Sequence, residues 1–149
     1  MPASWPPDLY HADAIRYALD WRSTHPGDDD WGFHYLVLRG DNGAGGVGGA
    51  RTLIGAGGFR GAPDANGSVE VGYSLLADHQ RRGYATEAVE AWVAFAFSDP
   101  RVTRVIAQTL VGLTPSIRVL ERAGFTFAGT GDDPHAPPGE QVIRYERTR

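Results

Sequence analysis

Two hydrophobic periods alternate along this chain, and the places where one gives way to the other mark its elements. Between Asp8 and Thr24 the apolar residues Ile15, Ala18 and Leu19 recur at i, i+3 and i+4, which is one face of a helix. The Trp5-Pro6-Pro7 run before them stops any earlier helix, and His25-Pro26-Gly27 follows the predicted end. From Trp31 to Arg39 (WGFHYLVLR) aromatic and branched residues predict a strand. Strand character returns over Thr52 to Phe59 and again over Ser68 to Leu76, with glycine-rich turns between. Strands joined in this way form a meander of antiparallel hairpins. The period then lengthens. Over Gly83 to Phe97 the residues Ala85, Ala88, Val89, Trp92 and Ala96 make a helical stripe while Glu87 and Glu90 face away, and Pro100 follows the end. A strand over Val102 to Leu110 precedes a second striped helix, Thr114 to Ala123, whose Ser116, Val119, Leu120 and Ala123 share a face. Thr114 is placed to cap it, Pro115 to fill its first turn and Gly124 to end it. Phe125 to Thr130 and Gln141 to Thr148 read as closing strands. The order predicts an α+β domain built on one mixed, mostly antiparallel central sheet with flanking helices.

Length and charge narrow what such a domain does. With 149 residues, 42% of them hydrophobic, the chain is expected to form a single domain over residues 1–149. A formal net charge of −4, from 14 Lys and Arg against 18 Asp and Glu, gives no broad basic surface, so a nucleic-acid partner is not expected. The absence of cysteine excludes a thiolate metal site and a cysteine nucleophile. Five scattered histidines, His11, His25, His34, His79 and His135, lack ligand spacing, and no metal is expected. No basic-then-apolar leader opens the chain and no apolar run approaches about 18 residues, which points to a cytoplasmic protein without a membrane partner.

Two stretches compete as phosphate loops. Gly43-Ala44-Gly45-Gly46-Val47-Gly48 spells G-x-G-x-x-G, but that fingerprint needs a helix directly after it, and here a strand follows. In a chain with 20 glycines the string reads as a hairpin connection. Gln80-Arg81-Arg82-Gly83-Tyr84-Ala85 has the required context, because a strand precedes it and a helix follows. The unpaired first N–H groups of that helix would attract an anion, and Arg81 and Arg82 add two guanidinium charges.

The run EVGYSLLADHQRRGYATEAVEAWVAFAF resembles the acetyl-CoA binding segment of the GCN5-related N-acetyltransferases (GNAT), whose loop reads Gln/Arg-x-x-Gly-x-Gly/Ala. PSIRVLERAGF resembles the next motif of that superfamily, and the wording of both is nearest to the branch that acetylates the alanine or serine N-termini of ribosomal proteins. The resemblance covers Trp31 to the C-terminus. It implies an N-acetyltransferase with acetyl-CoA as co-substrate, held between the strand ending at Leu76 and the strand ending at Leu110. It implies further that Gln80, Arg81, Arg82, Gly83, Tyr84, Ala85 and Thr86 take the pyrophosphate through their backbone. The backbone of Ser74, Leu75 and Leu76 is implied to hold the pantetheine arm and the thioester carbonyl.

An amine attacking a thioester needs a neutral nitrogen, a partner for the oxyanion and a tolerable leaving group. Backbone N–H groups near Leu75 and Leu76 could meet the oxyanion, and a thiol of pKa about 8.5 leaves with little help. Glu70 is the candidate proton acceptor, by its place on a strand face with Gly72 and Ser74 and by its match to a glutamate that the family commonly carries. Ser116 matches the serine of the family's Asn-x-x-Ser motif, which implies contact with the coenzyme near sulfur and a proton-donor role. Two family residues are replaced: Leu113 stands for the asparagine, and Leu120 for a tyrosine that many relatives use as general acid. Trp5, Trp21 and Trp31 are open to either an acceptor pocket or the core, and Asp28 to Asp30 to either a cationic acceptor or solvent. The family domain usually opens with a strand and helix that have no match before Trp5. The edge left exposed would give a motive for homodimer formation. The acceptor is expected to be an amine, on a protein N-terminus or a small molecule. A coenzyme-binding module without catalysis is the alternative that Leu113 suggests.

Overall fold

The computed structural model describes residues 2–7, 12–40, 49–134 and 136–149. The GAGGVG string, His11, His135 and the opening of the first predicted helix lie outside the described residues. The elements are α1 (Ala12–Thr24), β1 (Phe33–Arg39), β2 (Arg51–Phe59), β3 (Ser68–Leu75), α2 (Tyr84–Ser98), β4 (Arg104–Leu110), α3 (Thr114–Arg122), β5 (Thr126–Thr130) and β6 (Val142–Thr148). Every predicted strand and helix is present. Six strands form one sheet in the order β1-β2-β3-β4-β6-β5. The meander is there as expected, and every neighbouring pair is antiparallel except β3 with β4, which the α2 crossover makes parallel.

Alternation gives the sheet two unlike faces. On one, Val69 and Val71 of β3, Val105 and Ala107 of β4, and Ile143 and Tyr145 of β6 pack with Val89, Val93 and Ala96 of α2 and Leu120 of α3. Each fully buried valine here contributes about 1.5–3 kcal/mol of hydrophobic stabilisation. The register puts Glu70 opposite Ile106, Ile106 opposite Glu146 and Gln108 opposite Arg144, so the other face carries charged and amide side chains. Trp31 belongs to the core: it is buried, with its ring 4.9 Å from Phe59 and 5.2 Å from Phe95.

Two local expectations are corrected. In α1, Leu19 does not lie on the inner face but is 64% exposed. Ile15 and Ala18 are half-buried as expected, Ala14 and Trp21 join them on that face, and it is shallow, since α1 buries no residue fully. At α3, Leu113 and not Thr114 occupies the N-cap position, and no side chain caps the helix. The other end is as expected. Gly124 N–H donates to Glu121 O at 3.1 Å and Phe125 N–H to Leu120 O at 2.9 Å, a Schellman closure in which buried Phe125 and Leu120 supply the apolar contact.

Candidate functional site

The parallel pairing of β3 and β4 runs only from Ser68 with Arg104 to Val71 with Ala107. Beyond it β3 stays on β2 as far as Leu75, and β4 stays on β6 as far as Leu110. The two neighbours therefore part at their carboxyl ends and leave an opening in the sheet. Leu76 N–H donates to Ile54 O at 2.9 Å and Arg60 N–H to Glu70 O at 2.9 Å. Antiparallel alternation then turns the backbone of even-numbered β3 residues toward β2 and that of odd-numbered ones toward β4. Val71 spends its groups on β4, but Tyr73 and Leu75 lie past the divergence, and their N–H groups face the opening. Of the two amides expected there from sequence, that of Leu76 is taken by Ile54. Leu75 remains, with Tyr73 beside it.

Both helices that follow these strands begin at the mouth of the opening. The loop into α2 passes through a 3-10 turn, Ala77–His79, and two left-handed residues, Arg81 (φ 60°) and Gly83 (φ 84°). Gly83 sits at the N-cap with open space around its missing side chain, so its backbone angle and not crowding calls for glycine. No side chain caps α2, and Glu87 N–H makes the first bond to Gly83 O. The N–H groups of Tyr84, Ala85 and Thr86 thus have no helical partner and stand at the positive end of the helix dipole. Arg81 and Arg82 are exposed beside them. Gln80 turns its side chain the other way: its Nε2 donates to Leu75 O at 3.0 Å and ties the loop to the end of β3. Ser74, the remaining β3 position expected to touch coenzyme, is half-buried on the polar face.

Ser116 lies in the first turn of α3, 3.3 Å through its Oγ from the Tyr73 hydroxyl, which also points to Ser116 O at 3.4 Å. Burial raises the pKa of Tyr73 above its usual 10.0, against the lowering effect of Ser116. The phenol is therefore protonated at neutral pH. This contact spans the opening from strand to helix, and sequence reasoning missed it. Tyr73 stands within the recognised strand, yet no spacing rule joins positions 43 residues apart.

Glu70 stands one residue before the divergence, on the polar face. Its Oε1 lies 3.5 Å from Arg60 Nη1 and accepts a hydrogen bond from Gln108 Nε2 at 3.2 Å. Glu70 and Ser116 are not in contact with one another. They approach the opening from opposite faces of the sheet. Arg60 and Gln108 were also missed, although the parity of Gln108 between inward Ala107 and Thr109 marks it as facing the polar side. Among the described residues no group of three or more His, Cys, Asp or Glu could hold a metal, and no helix is long and apolar enough to cross a membrane.

A split parallel pair with an uncapped helix at its mouth defines a class of domain, and the comparisons name it. Residues 2–126 match the model of the acetyltransferase (GNAT) domain, and the chain belongs to that family. The match begins well before Trp31, so it includes α1. The chain is 31% identical over 123 residues to the uncharacterized N-acetyltransferase YjdG of Bacillus subtilis (strain 168), covering 81% of this chain and 66% of that protein. Among solved structures, a GNAT-family acetyltransferase from Bacillus anthracis superposes with a TM-score of 0.56 at 26% identity, over 64% of this chain and 58% of that one. The chain thus spans less than two thirds of the length of both. The microcin C7 self-immunity acetyltransferase MccE, solved with acetyl-CoA and AMP, shares the fold over 92% of this chain and 69% of its own, with a TM-score of 0.64 at 18% identity.

Proposed function

We propose that the protein transfers an acetyl group from acetyl-CoA to a primary amine, by direct attack of the amine on the thioester. The observation that carries this reading is the opening between β3 and β4, with the uncapped N-terminus of α2 at its mouth. Family membership and the fold shared with MccE, which was solved with acetyl-CoA, support it.

Each residue then has a task. The amides of Tyr84, Ala85 and Thr86, with the loop from Gln80 through Gly83, receive the pyrophosphate, and Arg81 and Arg82 add charge where a guanidinium pairs with phosphate oxygens. Of the Ser74 to Leu76 backbone, the part that faces the opening is Leu75, and it holds the pantetheine arm. Leu75 and Tyr73 N–H are preorganised donors for the negative charge that develops on the thioester oxygen, and one such donor is typically worth about 3 kcal/mol. Glu70 takes the proton of the amine, directly or through water. Ser116, at the positive end of α3, faces the departing thiolate, with Tyr73 holding its hydroxyl. The acceptor carries an amine, on a protein N-terminus or on a small molecule.

Replacing Glu70 by Gln separates catalysis from mere coenzyme binding. Thiol release from acetyl-CoA is expected to fall by about 10²–10⁴-fold, as for loss of a general base, while CoA binding by calorimetry stays within about twofold. Equal turnover in Glu70→Gln and wild type would remove Glu70 from the chemistry. If no amine among peptide N-termini, polyamines and amino sugars releases thiol with the wild-type protein, a non-catalytic coenzyme-binding module takes the place of the enzyme.

A further inference from the structure

Glu70 is held in a closed ring of contacts that reaches a distant loop. Its Oε1 takes both the Arg60 ion pair and the Gln108 hydrogen bond, so among these contacts Oε2 stays uncommitted. Both partners then continue to the connection between β5 and β6. Gln108 Oε1 accepts the backbone N–H of Asp132 at 2.7 Å, and Gln108 Nε2 lies 3.3 Å from Asp132 O. Arg60 Nη2 donates to Asp133 Oδ2 at 3.1 Å. The Gln108 amide is thus used from both ends, and the guanidinium spans two carboxylates on different segments.

The loop is shaped for this approach. A Cβ added at Gly131 would collide with Gln108 Oε1 and come within 2.7 Å of Val142 Cγ1, so a larger residue there would push the Gln108 amide from its place against the loop. Gly131 N–H also donates to Val142 O at 2.9 Å, which fixes the start of the loop on β6. Burial works against the charge of Arg60, but its hydrogen bond to Asp133 and the charges of Glu70 and Asp133 outweigh it and raise its pKa. Side-chain exposures of 29% for Arg60, 25% for Glu70 and 16% for Asp133 keep the ring partly shielded from water.

From this geometry we infer that Arg60 and Gln108 are positioning residues, which fix Glu70 through Oε1 and dock the Asp132-Asp133 segment as a wall on the acceptor side of the opening. The amine then meets Glu70 at Oε2, beside that wall. Glu70 and Asp133 share the Arg60 guanidinium there. The part of this inference that concerns Glu70 rests on its proposed role as proton acceptor. The docking of the loop does not.

Two measurements on the full chain test the two parts separately. Amide hydrogen exchange is compared in wild type, Gln108→Ala and Arg60→Gln. The Asp132 segment is expected to exchange about tenfold faster in both variants, with β3 and β4 amides unchanged. Thiol release is then measured with an alanyl peptide, spermidine and glucosamine as amine probes. For whichever probe responds, kcat is expected to fall about tenfold in Gln108→Ala and Arg60→Gln, with CoA affinity within about twofold and partial recovery in Arg60→Lys. Unchanged exchange at Asp132 in both variants overturns the docking. Faster exchange with unchanged kcat overturns the positioning of Glu70, as does a loss of kcat matched by a loss of CoA affinity. If no probe responds in wild type, it is the enzymatic reading that fails, and the exchange result still decides the docking.

Discussion

The Tyr73 hydroxyl joins β3 to the first turn of α3 at 3.3 Å from Ser116 Oγ, across the place where the sheet opens. At that length the bond belongs at the weak end of the usual range, and its net contribution is about 0.5 kcal/mol. Tyr73→Phe is expected to lower stability by that amount in urea denaturation. A double-mutant cycle with Ser116→Ala should return a coupling of the same size, whereas zero coupling would mean that the two hydroxyls do not interact. The pH dependence has a definite sign. Burial raises the folded-state pKa of Tyr73 above 10.0, so above the unfolded value the native state holds a proton that the unfolded chain has lost. Stability is fully present below about pH 10 and falls as pH rises through the folded value. Tyr73→Phe removes this group and should flatten the alkaline limb of stability against pH. At this scale, sequence made Glu70 and Ser116 visible because each is a reactive group at a family position. Tyr73, Arg60 and Gln108 were hidden because their roles come from partners far along the chain, which the spacing of residues does not encode.

The elements were the most legible level, since each change of hydrophobic period carries its own punctuation. Where expectation failed, two signals competed for one position. Leu19 fits the helical spacing of Ile15 and Ala18, but Trp21 has more area to bury and takes the inner face of α1. Thr114 is a good capping residue, yet with Pro115 in the first turn the helix begins at Thr114 itself and leaves Leu113 at the cap. Leucine is among the poorest residues there and asparagine among the best. Leu113→Asn is therefore expected to raise stability by about 0.5–1 kcal/mol in thermal or urea unfolding, through a side-chain bond to the first-turn amides of α3. A net loss would show that packing of the half-buried leucine outweighs the missing cap. The same substitution restores the asparagine of the family motif, so CoA affinity measured on it tells whether that side chain touches the coenzyme as well.

For the molecule as a whole, the decisive feature is a register that stops. Nothing local in β3 or β4 says that their pairing ends at Val71 with Ala107; the opening exists because β2 and β6 each draw one strand away. Sequence located it only through the family resemblance, while the two glycine loops could be ranked by context alone. That ranking has a structural counterpart. The uncapped start of α2 adjoins the opening, whereas Gly40 N–H closes on Ala50 O at 3.0 Å between β1 and β2, with β1 at the edge of the sheet and separated from β3 by β2. Residues 43–48 can then be exchanged for a short Asn-Gly turn without disturbing the register that runs from Phe33 with Gly58 to Arg39 with Arg51. CoA affinity by calorimetry is expected to stay within about twofold, and a shorter loop lowers the closure entropy only slightly, so stability should rise by less than about 1 kcal/mol. A large loss of affinity would move the phosphate site to the glycine string. It would also break the link drawn between a helix N-terminus and the coenzyme, because that string is followed by a strand.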